Sequence, residues 1–165
     1  MEVDMKNKIV LGLLIASVSV TATAGVKDKK AILAAETNIK AAITKTIAAC
    51  GNDDLEVNVA WDEYKDMIKA NKDAITKKRY KSEWVISQGG DRTVSTLDAL
   101  TKICASDADY KEEIANLNEI IVKPKADFSD TSSDFSIDDE ALITNAGHYT
   151  TRKAGDFVKK IKAVY

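Results

Sequence analysis

Cys50 and Cys104 are the only cysteines in the chain, and they stand 54 positions apart. Each closes a stretch with helical spacing. Ile32, Ile39, Ile43, Ile47 and Cys50 fall on one face, and Gly51 follows as a left-handed helix stop. Val94, Leu97, Leu100 or Thr101, and Cys104 repeat the pattern downstream. Two sulfurs at the ends of core-facing stripes fix how two helices can lie together, if they bond. A zinc site wants four clustered ligands, and His148 is the sole histidine. A thioredoxin-like pair wants Cys-x-x-Cys, which this spacing excludes. A structural disulfide is the leading expectation, with two buried free thiols as the alternative.

The front of the chain sets the redox compartment. Lys6 and Lys8 precede an apolar run, Ile9 to Val20, and Ala22 and Ala24 form a small-x-small cleavage pattern. That is the layout of a secretory signal peptide. The run of 12 residues is shorter than the roughly 20 that a spanning helix needs. Residues 1–24 are therefore expected to be a leader, with Met5 as an alternative start, and residues 25–165 a single domain. In an oxidising compartment a cysteine pair in a small domain reads first as a bridge. No integral membrane span is expected after cleavage, and the expected location is periplasmic or secreted.

The formal net charge is −2. A near-neutral chain has no overall electrostatic drive toward nucleic acid or an anionic membrane. An apolar content of 45% with a single proline argues for a folded, mostly helical domain.

Lys27 to Cys50 reads as one long amphipathic helix. Leu55, Val57, Val59 and Trp61 alternate with polar residues, so a strand follows. Asp62 is a cap candidate for helical sequence running to about Ser87, with a break near Asn71 to Asp73. Gln88-Gly89-Gly90 reads as a stop, and Asp91 as the cap of the helix ending at Cys104. A short helix from Ser106 or Asp107 precedes a strand closed by Pro124. Phe135 to Ile143 reads as a hairpin turning at Asp138 to Glu140. Thr150 or Thr151 would cap a last helix carrying Ala154, Phe157, Val158 and Ile161. The expected fold is α+β: helices packed on a small, mostly antiparallel sheet, with a long N-terminal helix and a C-terminal helix.

Four short motifs carry a resemblance: Ala-Cys-Gly, Val-x-Val-x-Trp, Ile-Cys-Ala-Ser-Asp-x-Asp-Tyr-Lys and an Ile-Ile-Val strand. Together, over roughly residues 45–165, they resemble small exported proteins of Gram-negative bacteria. The resemblance implies a periplasmic α+β domain with one disulfide, and it brings no catalytic residues.

Candidate chemistry is sparse. His148, beside Gly147, would need a nucleophile and an orienting acid to catalyse; a turn or surface position is the plainer expectation. The acidic residues from Asp127 to Glu140 lack the glycine-turned spacing of a calcium loop, and a solvated loop and hairpin tip explain them. Gln88 to Arg92 lacks phosphate-loop spacing. Residues 77–81, KKRYK, form a basic cluster read as a solvated helix face. Trp61, Tyr64, Tyr80 and Trp84 are expected in or beside the core, and form a ligand or partner patch where exposed. No metal and no cofactor is expected.

These features favour a non-catalytic envelope protein that binds another envelope protein or a small ligand. A small hydrolase built around His148 is the competing expectation. It requires His148 in a pocket, on a carboxylate and facing a hydroxyl. An inhibitor or immunity-type protein is the third, and it would present a protruding loop near 124–134.

Overall fold

A computed structural model describes residues 25–165 of the chain; the expected leader lies outside the described residues. Six helices and four strands follow in the order α1 (Val26–Cys50), β1 (Glu56–Val59), α2 (Trp61–Ala70), α3 (Lys72–Lys77), α4 (Ser82–Ser106), α5 (Ala108–Ala115), β2 (Glu119–Pro124), β3 (Asp134–Asp138), β4 (Ala141–Ala146) and α6 (Ala154–Lys162). The fold is α+β, with the long N-terminal helix and the C-terminal helix both present.

Helices α1 and α4 are each 25 residues long and lie parallel, side by side. The Ser82 hydroxyl donates to Asp28 at 2.7 Å. Thr46 and Thr101 share a hydroxyl hydrogen bond at 3.0 Å. Cys50 and Cys104 are bonded as a disulfide, with Cα atoms 5.1 Å apart. All three contacts join residues 54 or 55 positions apart, the mark of one constant register. The bridge confirms the expected pairing. Closing a loop of this length stabilises by about 4 kcal/mol in the chain-entropy account.

The constant register explains the first correction. Gly89 and Gly90 do not stop a helix; they lie inside α4, and Asp91, expected as a cap, is inside it too. Two interior glycines cost a helix about 1 kcal/mol each relative to alanine. Here they permit close approach. A Cβ on Gly90 would lie 2.5 Å from the Ala35 Cβ of α1, and one on Gly89 would lie 2.7 Å from the Tyr64 ring. The break at Asn71 is as expected, separating α2 from α3.

The sheet is the second correction. Its order is β1-β2-β4-β3. β1 and β2 are parallel, β2 and β4 are parallel, and only the β3–β4 hairpin is antiparallel, so the sheet is mixed rather than mostly antiparallel. Burial gives the reason. β4 brings Leu142, Thr144 and Ala146 fully inside and takes an interior position beside β2. β3, in contrast, alternates exposed Asp134, Ser136 and Asp138 with half-buried Phe135 and Ile137, which suits an edge. One sheet face packs on the helices. The other turns to solvent, with Ile121 and Ile143 as neighbours upon it.

The last helix begins at Ala154, with Lys153 rather than Thr150 or Thr151 at its N-cap. The Asp156 carboxylate accepts the Lys153 backbone N–H at 2.9 Å, and Thr150 is engaged elsewhere. The segment 125–133 does not protrude. Asn71 holds it through Ala126 O and Phe128 N, and Phe128 is wholly buried. Gly147 lets it pass, since a Cβ there would lie 2.2 Å from Ser132 O.

Candidate functional site

The aromatic residues picked out in the sequence do not form one surface. They form a chain of rings that runs from solvent into the core. Trp84 packs on Tyr80 with centroids 5.3 Å apart. The two are four apart in sequence, Tyr80 just ahead of α4 and Trp84 in its first turn. Tyr80 meets Phe128 at 5.7 Å, Phe128 stacks on His148 at 5.9 Å, and His148 meets Tyr64 edge-on at 6.3 Å. Tyr64 in turn lies 5.5 Å from Trp61. Tyr149 joins at the outer end, against Tyr80 at 5.4 Å and Phe128 at 6.0 Å.

The inner end is shut off from partners. Tyr64 is wholly buried, so it cannot belong to a contact patch; its ring instead fills the space left by Gly89. Trp61 is half-buried and donates its indole N–H to Glu36. His148 is 1% exposed; of the turn or surface position expected, it has the turn, with Thr150 N donating to His148 O at 2.9 Å, and not the surface. Its Nε2 sits 2.8 Å from Lys125 O. A carbonyl can only accept, so Nε2 carries the proton. Burial holds the imidazole below its ordinary value. His148 therefore has a backbone carbonyl and two rings around it, not the carboxylate and hydroxyl that a hydrolytic site requires.

Arg92, also buried, organises this end. Its Nε donates to Gly147 O at 3.2 Å, and its Nη2 donates to Thr150 O at 2.6 Å. It thus clamps the backbone on both sides of His148 and Tyr149. Burial and the nearby Arg152 hold its guanidinium below its ordinary value. Arg92 Nη1 and the Tyr64 hydroxyl are buried with no hydrogen-bond partner among the described residues, and burial pushes the Tyr64 phenol well up.

The acidic loop is used internally. Lys125 Nζ contacts Asp130 at 2.8 Å and Asp134 at 2.6 Å. Burial alone would pull Lys125 down, but the two carboxylates outweigh it and leave it above its ordinary value. The Lys125 and Ser132 contacts pull Asp130 down to about 2. Among the described residues no cluster of three or more His, Cys, Asp or Glu side chains is arranged to hold a metal.

No family model, curated protein or solved structure matches the chain. The site must therefore be read from its geometry. Only the outer end of the ring chain is open: Trp84 is 43% exposed and Tyr149 is 40% exposed. The Lys78 ammonium lies 4.2 Å from the Tyr149 centroid, and that of Lys81 lies 4.8 Å from Trp84. Two non-glycine residues in the left-handed region flank the patch, Arg79 at φ 54° and Tyr149 at φ 66°. For an aromatic residue this conformation costs about 1–2 kcal/mol, and such strain concentrates where a side chain must be presented. The clamp by Arg92 and the bond from Tyr149 N to Gln88 Oε1 at 2.8 Å hold it there.

Of the expected patch, then, the structure keeps Tyr80 and Trp84 together, leaves Trp61 at the far end of the ring chain, and removes Tyr64. It adds Tyr149, with Phe128 beneath. Tyr80 and Trp84 are close in sequence, but Tyr80 precedes α4, so the chain's turn into the helix and not a shared helix face brings them together. Nothing in the sequence tied Tyr149 to them, because the link is tertiary.

Proposed function

We propose that the protein is a non-catalytic interaction module of the cell envelope, acting through the surface made by Tyr80, Trp84 and Tyr149. One observation carries this reading: Tyr149 is held in a strained backbone conformation that keeps its ring against Tyr80, on which Trp84 also packs, with Tyr149 and Trp84 both open to solvent. A disulfide between the two longest helices and the leader-like residues 1–24 support an oxidising, exported setting. The resemblance of the cysteine and strand motifs to exported Gram-negative proteins supports the same compartment. Aromatic residues in a small exposed cluster are typical interface anchors.

The test uses the two tryptophans as separate reporters. The protein labelled with 5-fluorotryptophan is mixed with isolated Gram-negative cell envelopes and followed by fluorine NMR. The Trp84 resonance should shift or broaden while that of Trp61 stays put, and Tyr149→Ala should weaken the effect. Two unchanged resonances at saturating envelope concentration would refute an interaction at this surface.

A further inference from the structure

The formal net charge of −2 hides a strongly uneven distribution. The start of α1 and the connection from α3 into α4 lie at one end of the molecule, joined by the Ser82–Asp28 hydrogen bond. Residues 27–30 and 77–81 place seven cations there, with Asp28 as the one carboxylate among them. Glu83 and Asp127 border the cluster. Among the described residues, none of the ion pairs takes up these lysines or Arg79; Lys78 and Lys81 lie over rings instead.

The opposite end is acidic. Asp53 and Asp54 follow the end of α1, α5 carries Asp109, Glu112 and Glu113, and the hairpin tip Asp138 to Glu140 lies beside them through Asn118 N and Glu140 O at 2.8 Å. The helices reinforce this separation. Because α1 and α4 are parallel, both positive N-termini point to the cationic end and both negative C-termini to the acidic one. Each helix is about 37 Å long at 1.5 Å per residue.

The aromatic surface sits on the cationic end. Tryptophan and tyrosine among lysines is the composition that settles at a bilayer interface, rings at headgroup depth and ammonium groups on phosphates. The described residues also begin at this end, at Gly25 and Val26. We propose that this end docks on an anionic phospholipid surface, with Trp84 and Tyr149 at the headgroups and the long helices pointing away from it. The proposal rests on the interaction reading above and names its partner.

The experiment uses the protein as recovered from an expressing Gram-negative cell, with every variant compared in the same form. It is mixed with phosphatidylcholine vesicles containing or lacking phosphatidylglycerol, and binding is read by co-sedimentation and by the fluorine signal of Trp84. Binding should require the anionic lipid and weaken as salt shortens the Debye length. Each lysine removed should weaken it about fivefold, equivalent to about 1 kcal/mol, so Lys78→Gln with Lys81→Gln should lose about 25-fold. The same changes at Lys102 and Lys111, on the acidic end, should leave binding unaltered. A leader still attached would contribute equally to all variants. Equal binding to neutral vesicles, or indifference to both Lys78/Lys81 and Trp84, overturns the proposal. A Trp84 response to whole envelopes without one to anionic vesicles overturns the lipid partner and leaves the interaction reading standing. Silence in both sinks the two together.

Discussion

Replacing Gly90 by alanine sets two opposite effects against each other. Alanine improves intrinsic helix stability by up to about 1 kcal/mol. The new methyl would sit 2.5 Å from the Ala35 Cβ, where two carbons rest at about 3.5–4.0 Å. Helices α1 and α4 would have to part locally by about 1 Å, and the disulfide and the Thr46–Thr101 bond resist that at their far ends. Overpacking of this kind costs about 1–3 kcal/mol. Gly90→Ala should therefore destabilise the domain by about 1–2 kcal/mol. Gly155, on the exposed face of α6, has nothing within 4 Å of its Cβ position, so Gly155→Ala should stabilise by a few tenths of a kcal/mol. Urea unfolding followed by circular dichroism should move the two midpoints in opposite directions with unchanged slopes. Adding Ala35→Gly to Gly90→Ala should recover stability, with a coupling of about 1 kcal/mol. A Gly90→Ala variant as stable as the parent would refute the close α1–α4 packing.

Three further outcomes can be checked. Tyr149→Gly and Tyr149→Ala lose the same ring, but only glycine relieves the positive φ; the glycine variant should be more stable by about 1 kcal/mol in urea. His148 is held below its ordinary 6.5, so between the two values the unfolded chain takes a proton that the folded one refuses. Stability should be full above that ordinary value and fall as pH drops below it, and His148→Asn should remove this slope from urea midpoints measured between about pH 7.5 and 5. The protein recovered after export should have a mass starting at Gly25, two hydrogens short, with no free thiol; two titratable thiols would contradict the bridge.

The elements that follow from local pattern were legible before the structure. Alternation from Leu55 and apolar spacing from Ile32 to Cys50 each encode one element in adjacent residues, although the strand ends at Val59 and Trp61, expected in it, opens α2. The hairpin turn at Asp138–Glu140 is of the same kind. What was not legible depends on neighbours far away in sequence. Gly89 and Gly90 look like a stop until Tyr64 and Ala35 are seen to occupy the space their missing side chains leave. His148 looks like a turn residue until Phe128 folds over it. The direction of β4 depends on β3 taking the edge, a choice between two pairings that both satisfy alternation. The basic run 77–81 was visible, but the lysines at the start of α1 joined it only through the parallel helix pair.

That parallel pairing also governs when the chain can fold. A helix and its neighbour 54 residues later cannot meet until everything between them is available. β1 has only β2 as a partner, and β2 needs β4, which ends at Ala146. Contacts this distant in sequence slow folding. The sheet thus cannot close before Ala146 is available, whereas the helix pair needs the chain only to Ser106. The bridge can therefore lock the helix pair before the sheet is complete, leaving the last strands to add to a frame already fixed.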